Sequence, residues 1–188
     1  MKARISPLNA PYSEEITAHF NTVMPPGMPP LSIFRTVAHN PRVLHRMVVG
    51  GLLDRGSITI ADRELVILRV CGVCKAEYEW GVHVAAFAKK AGFSKAQIND
   101  TTAQQPDSTL WSDSQNLIIA LVDQLHATSQ VSDELWQALA KAFKEEQLIE
   151  LIMVAGLYHA VSFMVNACKV QREPFAPGFP AATVTTAA

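Results

Sequence analysis

Between Glu145 and Val170 apolar residues recur at helical spacing and nearly all the way round, through Leu148, Leu151, Ile152, Ala155, Tyr158, Val161 and Phe163. That pattern predicts a central buried helix. Upstream, the same period appears in shorter amphipathic pieces, each introduced by a capping signal. Asn40-Pro41 sets a side-chain acceptor before a proline that forfeits no hydrogen bond at the first helical position, and predicts a helix to about Leu53. After Gly56 breaks the chain, Thr59 with Asp62 opens a helix through Glu64, Leu65, Leu68 and Arg69. Ser94 with Gln97 and Ser112 with Gln115 repeat that spacing, and Ser132-Asp133-Glu134 places oxygen acceptors and negative charge where a helix N-terminus favours them. No segment alternates with a period of two, so the predicted class is all-α.

The ends of the chain read differently. A short first helix at Ser13 to Asn21 runs into Met24-Pro25-Pro26-Gly27-Met28-Pro29-Pro30, which cannot be regular structure and reads as a stiff loop. From Glu173 onward Pro174, Pro177, Gly178 and Pro180 predict an extended arm. The organisation expected is one domain over 1–188, with a core at about 31–170, an N-terminal helix and loop at 1–30 and a C-terminal arm at 171–188.

Composition narrows the function classes. A chain of 188 residues with 49% hydrophobic and 18% charged residues has enough apolar material for a single full core. Its net charge of −1 supplies no basic footprint for nucleic acid or an anionic membrane, so a small-molecule or protein partner is expected. Residues 1–10 lack the apolar run of a signal peptide, and the longest apolar stretch, Leu151 to Ala160, is too short to span a bilayer. A cytoplasmic location is expected. Three cysteines, an odd number, argue against a disulfide framework and leave Cys71 and Cys74 as a possible local redox pair.

The candidate chemistry lies in Arg63 to Arg69 and Glu77 to His83. Glu79 and His83 are four apart, about 40° from one another around a helix, and can touch. A carboxylate beside an imidazole fixes its tautomer and raises its pKa, and Glu64 on a neighbouring helix could do the same from the other side. This is the composition of a proton-transfer site. The same three side chains could ligate a metal, a reading set aside because no further ligand motif accompanies them. Of the other histidines only His159, beside Tyr158, is kept as a pocket candidate, against the alternative of a core histidine bonded to a carbonyl.

These segments resemble the signature of the AhpD-like / carboxymuconolactone decarboxylase family. Its redox members carry a Glu, then two Cys separated by two residues, then a His four residues after the second Cys. Counted back from His83, the cysteine positions fall on Ala76 and Glu79 and the Glu on Glu64, so both thiols are missing. The Tyr78-Glu79-Trp80 reading resembles a non-redox branch, and a looser likeness runs from about Leu31 to Val170. The resemblance implies an AhpD-like helical bundle with extended arms, assembled as a trimer or hexamer, needing no cofactor or metal. An apolar helix at Leu148 to Val165 also asks for cover on every side, which favours a homo-oligomer.

By that resemblance, His83 is the general acid–base of an enzyme acting on a small carboxylated or lactone substrate. Glu79 orients it, and Glu64 tunes charge or relays protons. Arg69 or Arg35 are candidates to hold a substrate carboxylate, and Tyr78 and Tyr158 complete the candidate binding residues. Two alternatives stand beside this. One is a thiol peroxidase of the alkylhydroperoxidase type using Cys71 and Cys74, which would sit near the C-terminus of the Glu64 helix, where the dipole opposes thiolate. The other is a non-catalytic binding or assembly module on the same fold.

Overall fold

The computed structural model describes residues 2–181, and among these it is all-α: nine α-helices, one short 3-10 turn and no strand. The helices are α1 (Glu14–Val23), α2 (Ser32–Val37), α3 (Pro41–Val49), α4 (Ile60–Val73), α5 (Glu77–Ala91), α6 (Lys95–Asp100), α7 (Asp113–Thr128), α8 (Asp133–Ala142) and α9 (Glu145–Cys168). The capping residues mark the predicted starts. Asn40, Thr59, Ser94, Ser112 and Ser132 each accept a backbone N–H from the first turn, and full capping boxes form at Ser94 and Ser112.

Two expectations need correction. Helix α3 ends at Val49 rather than near Leu53, because Gly50-Gly51 interrupts it and Leu52 turns into the left-handed region at φ 49°. The central helix is α4, not α9. Every residue from Arg63 to Gly72 is buried, and α4 packs on α5, α7 and α9. Arg63, Glu64 and Arg69 mimic a polar face in sequence but are paired inside the protein, as interior charges must be. Helix α9 instead leaves one stripe bare: Ile149, Met153 and Phe163 are 65%, 58% and 65% exposed, with Gly156 and Ala160 exposed between them.

The connection from α4 to α5 is three residues long. Cys74 caps α4, Lys75 takes φ 55°, and the Ala76 N–H closes the turn on Cys71 O at 2.8 Å. This turn folds α5 back onto α4 and brings Glu64 opposite His83. The C-terminal arm lacks regular structure as predicted but does not extend into solvent. The Phe179 N–H donates to Glu77 Oε1 at 2.9 Å, the Phe179 ring meets Trp80 edge-on at 5.3 Å, and Ala176 is buried. Gly81 permits this docking: a Cβ there would lie 2.3 Å from Pro177 O. The end of the predicted arm, 182–188, lies outside the described residues.

Candidate active site

His83, buried on α5, is held from both sides. Its Nδ1 lies 2.7 Å from Glu64 Oε2 on α4, and since a carboxylate has no proton to give, Nδ1–H is the donor. The other Glu64 oxygen accepts from Arg63, with Nη2 at 3.0 Å and Nε at 3.1 Å, and Arg63 Nη1 also caps Leu53 O at 2.7 Å. On the far side of the ring, Nε2 faces Glu79 Oε1 at 3.5 Å and the Tyr158 hydroxyl at 3.1 Å. The tyrosine ring stands edge-on to the imidazole at 5.1 Å.

The electrostatics follow from that enclosure. Burial by itself lowers the His83 pKa, but hydrogen bonds to Glu64 and Glu79 outweigh it and hold the imidazolium up to about 9. With His83 charged, the interior carries Arg63 and His83 against Glu64 and Glu79, a balanced set. Burial, followed by the Glu79 charge, pushes the Tyr158 phenol well up, so it remains a neutral hydroxyl. Glu79 Oε2 is buried with no hydrogen-bond partner, an unsatisfied carboxylate oxygen of the kind that calls for an explanation.

Glu79, His83 and Tyr158 form part of the wall of a cavity of about 890 Å³. The rest of the wall is mostly apolar, with Met24, Met28, Phe34, Met47, Leu157 and Phe175 among its residues. Lys90, exposed at the rim and 5.7 Å from the centre of the Phe87 ring, is the one Lys or Arg on the wall among the described residues.

The other predicted site residues are placed elsewhere. Arg69 is committed to Asp123 in a two-pronged ion pair at 2.6 and 2.8 Å and to the carbonyls of Thr101 and Ala103. Arg35 donates to Leu8 O and Asn9 Oδ1, both at 2.7 Å. Neither arginine lines the cavity, and neither does Tyr78, whose hydroxyl donates to Glu173 and accepts the Ile33 N–H. Cys71 is entirely buried, and burial pushes its thiol well up. Cys74 faces His126 rather than His83. His159 Nδ1 lies 2.8 Å from Ala155 O, the carbonyl-bonded alternative, although the residue is half-buried rather than in the core. Sequence reasoning missed Lys90, whose only local sign is its place seven residues after His83, two turns along the same helix.

Comparison with known proteins locates a likeness in the middle of the chain. Residues 44–121 match the carboxymuconolactone decarboxylase family. The match covers less than half of the chain. The matched segment begins in α3, contains α4, α5 and α6 and ends in α7; it includes Glu64, Glu79 and His83, whereas Tyr158 and both terminal segments of the cavity wall lie outside it. No curated protein matches the chain. Among solved structures, a peroxidase-related protein from Silicibacter sp. TM1040 superposes with a TM-score of 0.77 at 14% identity, covering 93% of this chain and 95% of its own. An alkylhydroperoxidase AhpD core protein from Ralstonia eutropha JMP134 gives 0.72 at 14% identity, over 90% and 93% of the two chains. The debrominase Bmp8 in complex with 2,3,4-tribromopyrrole gives 0.72 at 16%, over 93% and 94%. These likenesses establish the AhpD-like fold.

Proposed function

We propose that this protein is an enzyme that carries out acid–base chemistry, without an organic cofactor, on a small and largely apolar substrate bearing a carboxylate or lactone. The observation that carries this reading is the buried Glu64–His83 pair presenting Nε2, Glu79 and Tyr158 to the wall of an apolar cavity. A cavity with a few converging polar groups and a shifted pKa is the arrangement expected of a reaction site.

The roles divide by contact. Glu64, braced by Arg63, orients the imidazole and stabilises its charge. His83 gives its Nε2 proton to the substrate oxygen or carbon on which charge develops. Glu79, with one oxygen unpartnered, accepts a proton from a carbon acid, and in a decarboxylation the departing carbon dioxide takes the place of that proton. The electron pair of the broken bond then passes into an enolate that His83 protonates. Tyr158 donates to the same oxygen. Lys90 at the rim is the cation available for a substrate carboxylate, in place of the committed Arg69 and Arg35. Thiol peroxidase chemistry at Cys71 and Cys74 draws less support, because Cys71 has no exposure and neither thiol is hydrogen-bonded to His83.

The test is turnover of a panel of lactone acids and keto acids, followed by carbon dioxide release and loss of substrate absorbance. Turnover abolished by His83→Ala supports the reading. Turnover unaffected by that change would overturn it.

A further inference from the structure

Away from the cavity, three helices bring together side chains that the acid–base reading does not use. Cys74 caps the C-terminus of α4, His126 lies in the last turn of α7, and His159 projects from the middle of α9. Cys74 Sγ is 3.7 Å from His126 Nδ1, His126 Nδ1 is 3.1 Å from His159 Nε2, and all three donor atoms lie within 4.8 Å of one another. We propose that these three atoms form a binding site for a divalent transition cation of the zinc class.

The geometry matches one ion at the centre. With Zn–S of about 2.3 Å and Zn–N of about 2.0–2.1 Å, tetrahedral ligands stand about 3.3–3.6 Å apart. The separations of 3.1 and 3.7 Å fall on either side of that range and the third is within 4.8 Å, so side-chain rotations complete the site. The ligand set is also right in kind, since one thiolate and two imidazoles select zinc over the hard cations that take oxygen ligands. The His159 ring is already oriented for the task. Its Nδ1–H donates to Ala155 O at 2.8 Å, which leaves the Nε2 lone pair aimed at His126. Asn166 Nδ2 donates to Cys74 O at 2.8 Å and fixes the residue that carries the thiol.

The surrounding field suits a cation. The C-terminal ends of α4 and α7 converge here, and unpaired carbonyls at a helix C-terminus favour positive charge. The nearby Arg69 guanidinium is neutralised by Asp123. Binding would release the Cys74 proton to solvent and form one metal–sulfur and two metal–nitrogen bonds. His126 is exposed, so the fourth position faces water or a ligand from outside.

Cobalt(II) is the probe, added to the full-length protein and followed by absorption. One cobalt per chain is expected, with a thiolate-to-metal charge-transfer band in the near ultraviolet, visible bands of four-coordinate intensity, and displacement of both by zinc. Cys74→Ser should abolish the charge-transfer band, while Cys71→Ser should leave it. His126→Ala and His159→Ala should each weaken binding by at least the roughly 10- to 100-fold that even loss of an outer hydrogen-bond partner costs. Far-ultraviolet circular dichroism checks that the helices remain. A cobalt spectrum without the thiolate band, or a band that survives Cys74→Ser, would overturn the proposal.

Discussion

Replacing Glu64 with Gln removes one negative charge from a sealed cluster while keeping the shape of the side chain. In the native protein the cluster is balanced only when His83 is protonated, because Arg63 and His83 then oppose Glu64 and Glu79. With Gln at position 64 the balance is reached with His83 neutral, and with only Glu79 left to offset burial its pKa falls from its raised value. The rise from 6.5 to about 9 is a folded-state preference for the imidazolium of about 3 kcal/mol, at about 1.4 kcal/mol per unit.

Its sign over pH is fixed. Below 6.5 both folded and unfolded chains hold the proton and the full contribution is present. As pH rises through 9 the unfolded chain has already released its proton, and the contribution is lost. Native stability should therefore fall by about 3 kcal/mol between pH 6.5 and 9, and Glu64→Gln should flatten that fall. The destabilisation caused by the variant, large because a buried pair is broken, should be greatest near pH 6 and shrink towards pH 9. Urea unfolding at half-unit pH intervals measures the slope, and an NMR titration of the imidazole nitrogens locates the pKa. A wild type whose stability is flat across this window, or a variant that keeps the wild-type slope, would refute the charge-balance argument.

His83→Ala and Glu79→Gln should each lower turnover by about 10²- to 10⁴-fold, and the double variant should cost little more than the worse single, as steady-state kinetics would show. Lys90→Ala should raise KM for carboxylated substrates by up to about 5-fold, the value of an exposed ion pair, with kcat unchanged. Gly81→Ala forces a Cβ to within 2.3 Å of Pro177 O, so it should cost about 1–3 kcal/mol in urea unfolding and speed proteolysis of the C-terminal arm. A Cys71→Ser, Cys74→Ser double variant should keep any peroxidase rate that the wild type shows in a dithiol-coupled assay, because Cys71 is fully buried and the hydrogen bonds of His83 go to Glu64 and Tyr158 rather than to either thiol.

Local chemistry was readable from the sequence and long-range pairing was not. Ser94, Ser112 and Ser132 cap bonds only three residues away, so their helices were legible. Leu31 caps nothing with its side chain, and the six-residue α2 behind it gave no signal. The contact between Glu79 and His83 follows from helical spacing, but sequence cannot show that Glu64 is the closer partner, since that depends on the turn at Lys75 folding α5 onto α4. Arg69 looked free because Asp123 lies 54 positions away. Cys74, His126 and His159 come from three separate helices, and nothing local in any of them announces the other two.

The cavity has walls of two kinds. His83, Glu79 and Tyr158 stand on α5 and α9, helices anchored on the buried α4, whereas Met24, Met28 and Phe175 come from segments near the two ends of the chain. Wall residues as exposed as Met28 and Phe175, 45% and 52%, can move in local openings that cost less than global unfolding. Ligand exchange therefore needs only a partial melting at the periphery. Backbone amides around Phe175 should trade hydrogen for deuterium long before those of Leu65 to Val70, and a bound ligand that spans both walls would slow the first set while leaving the second unchanged.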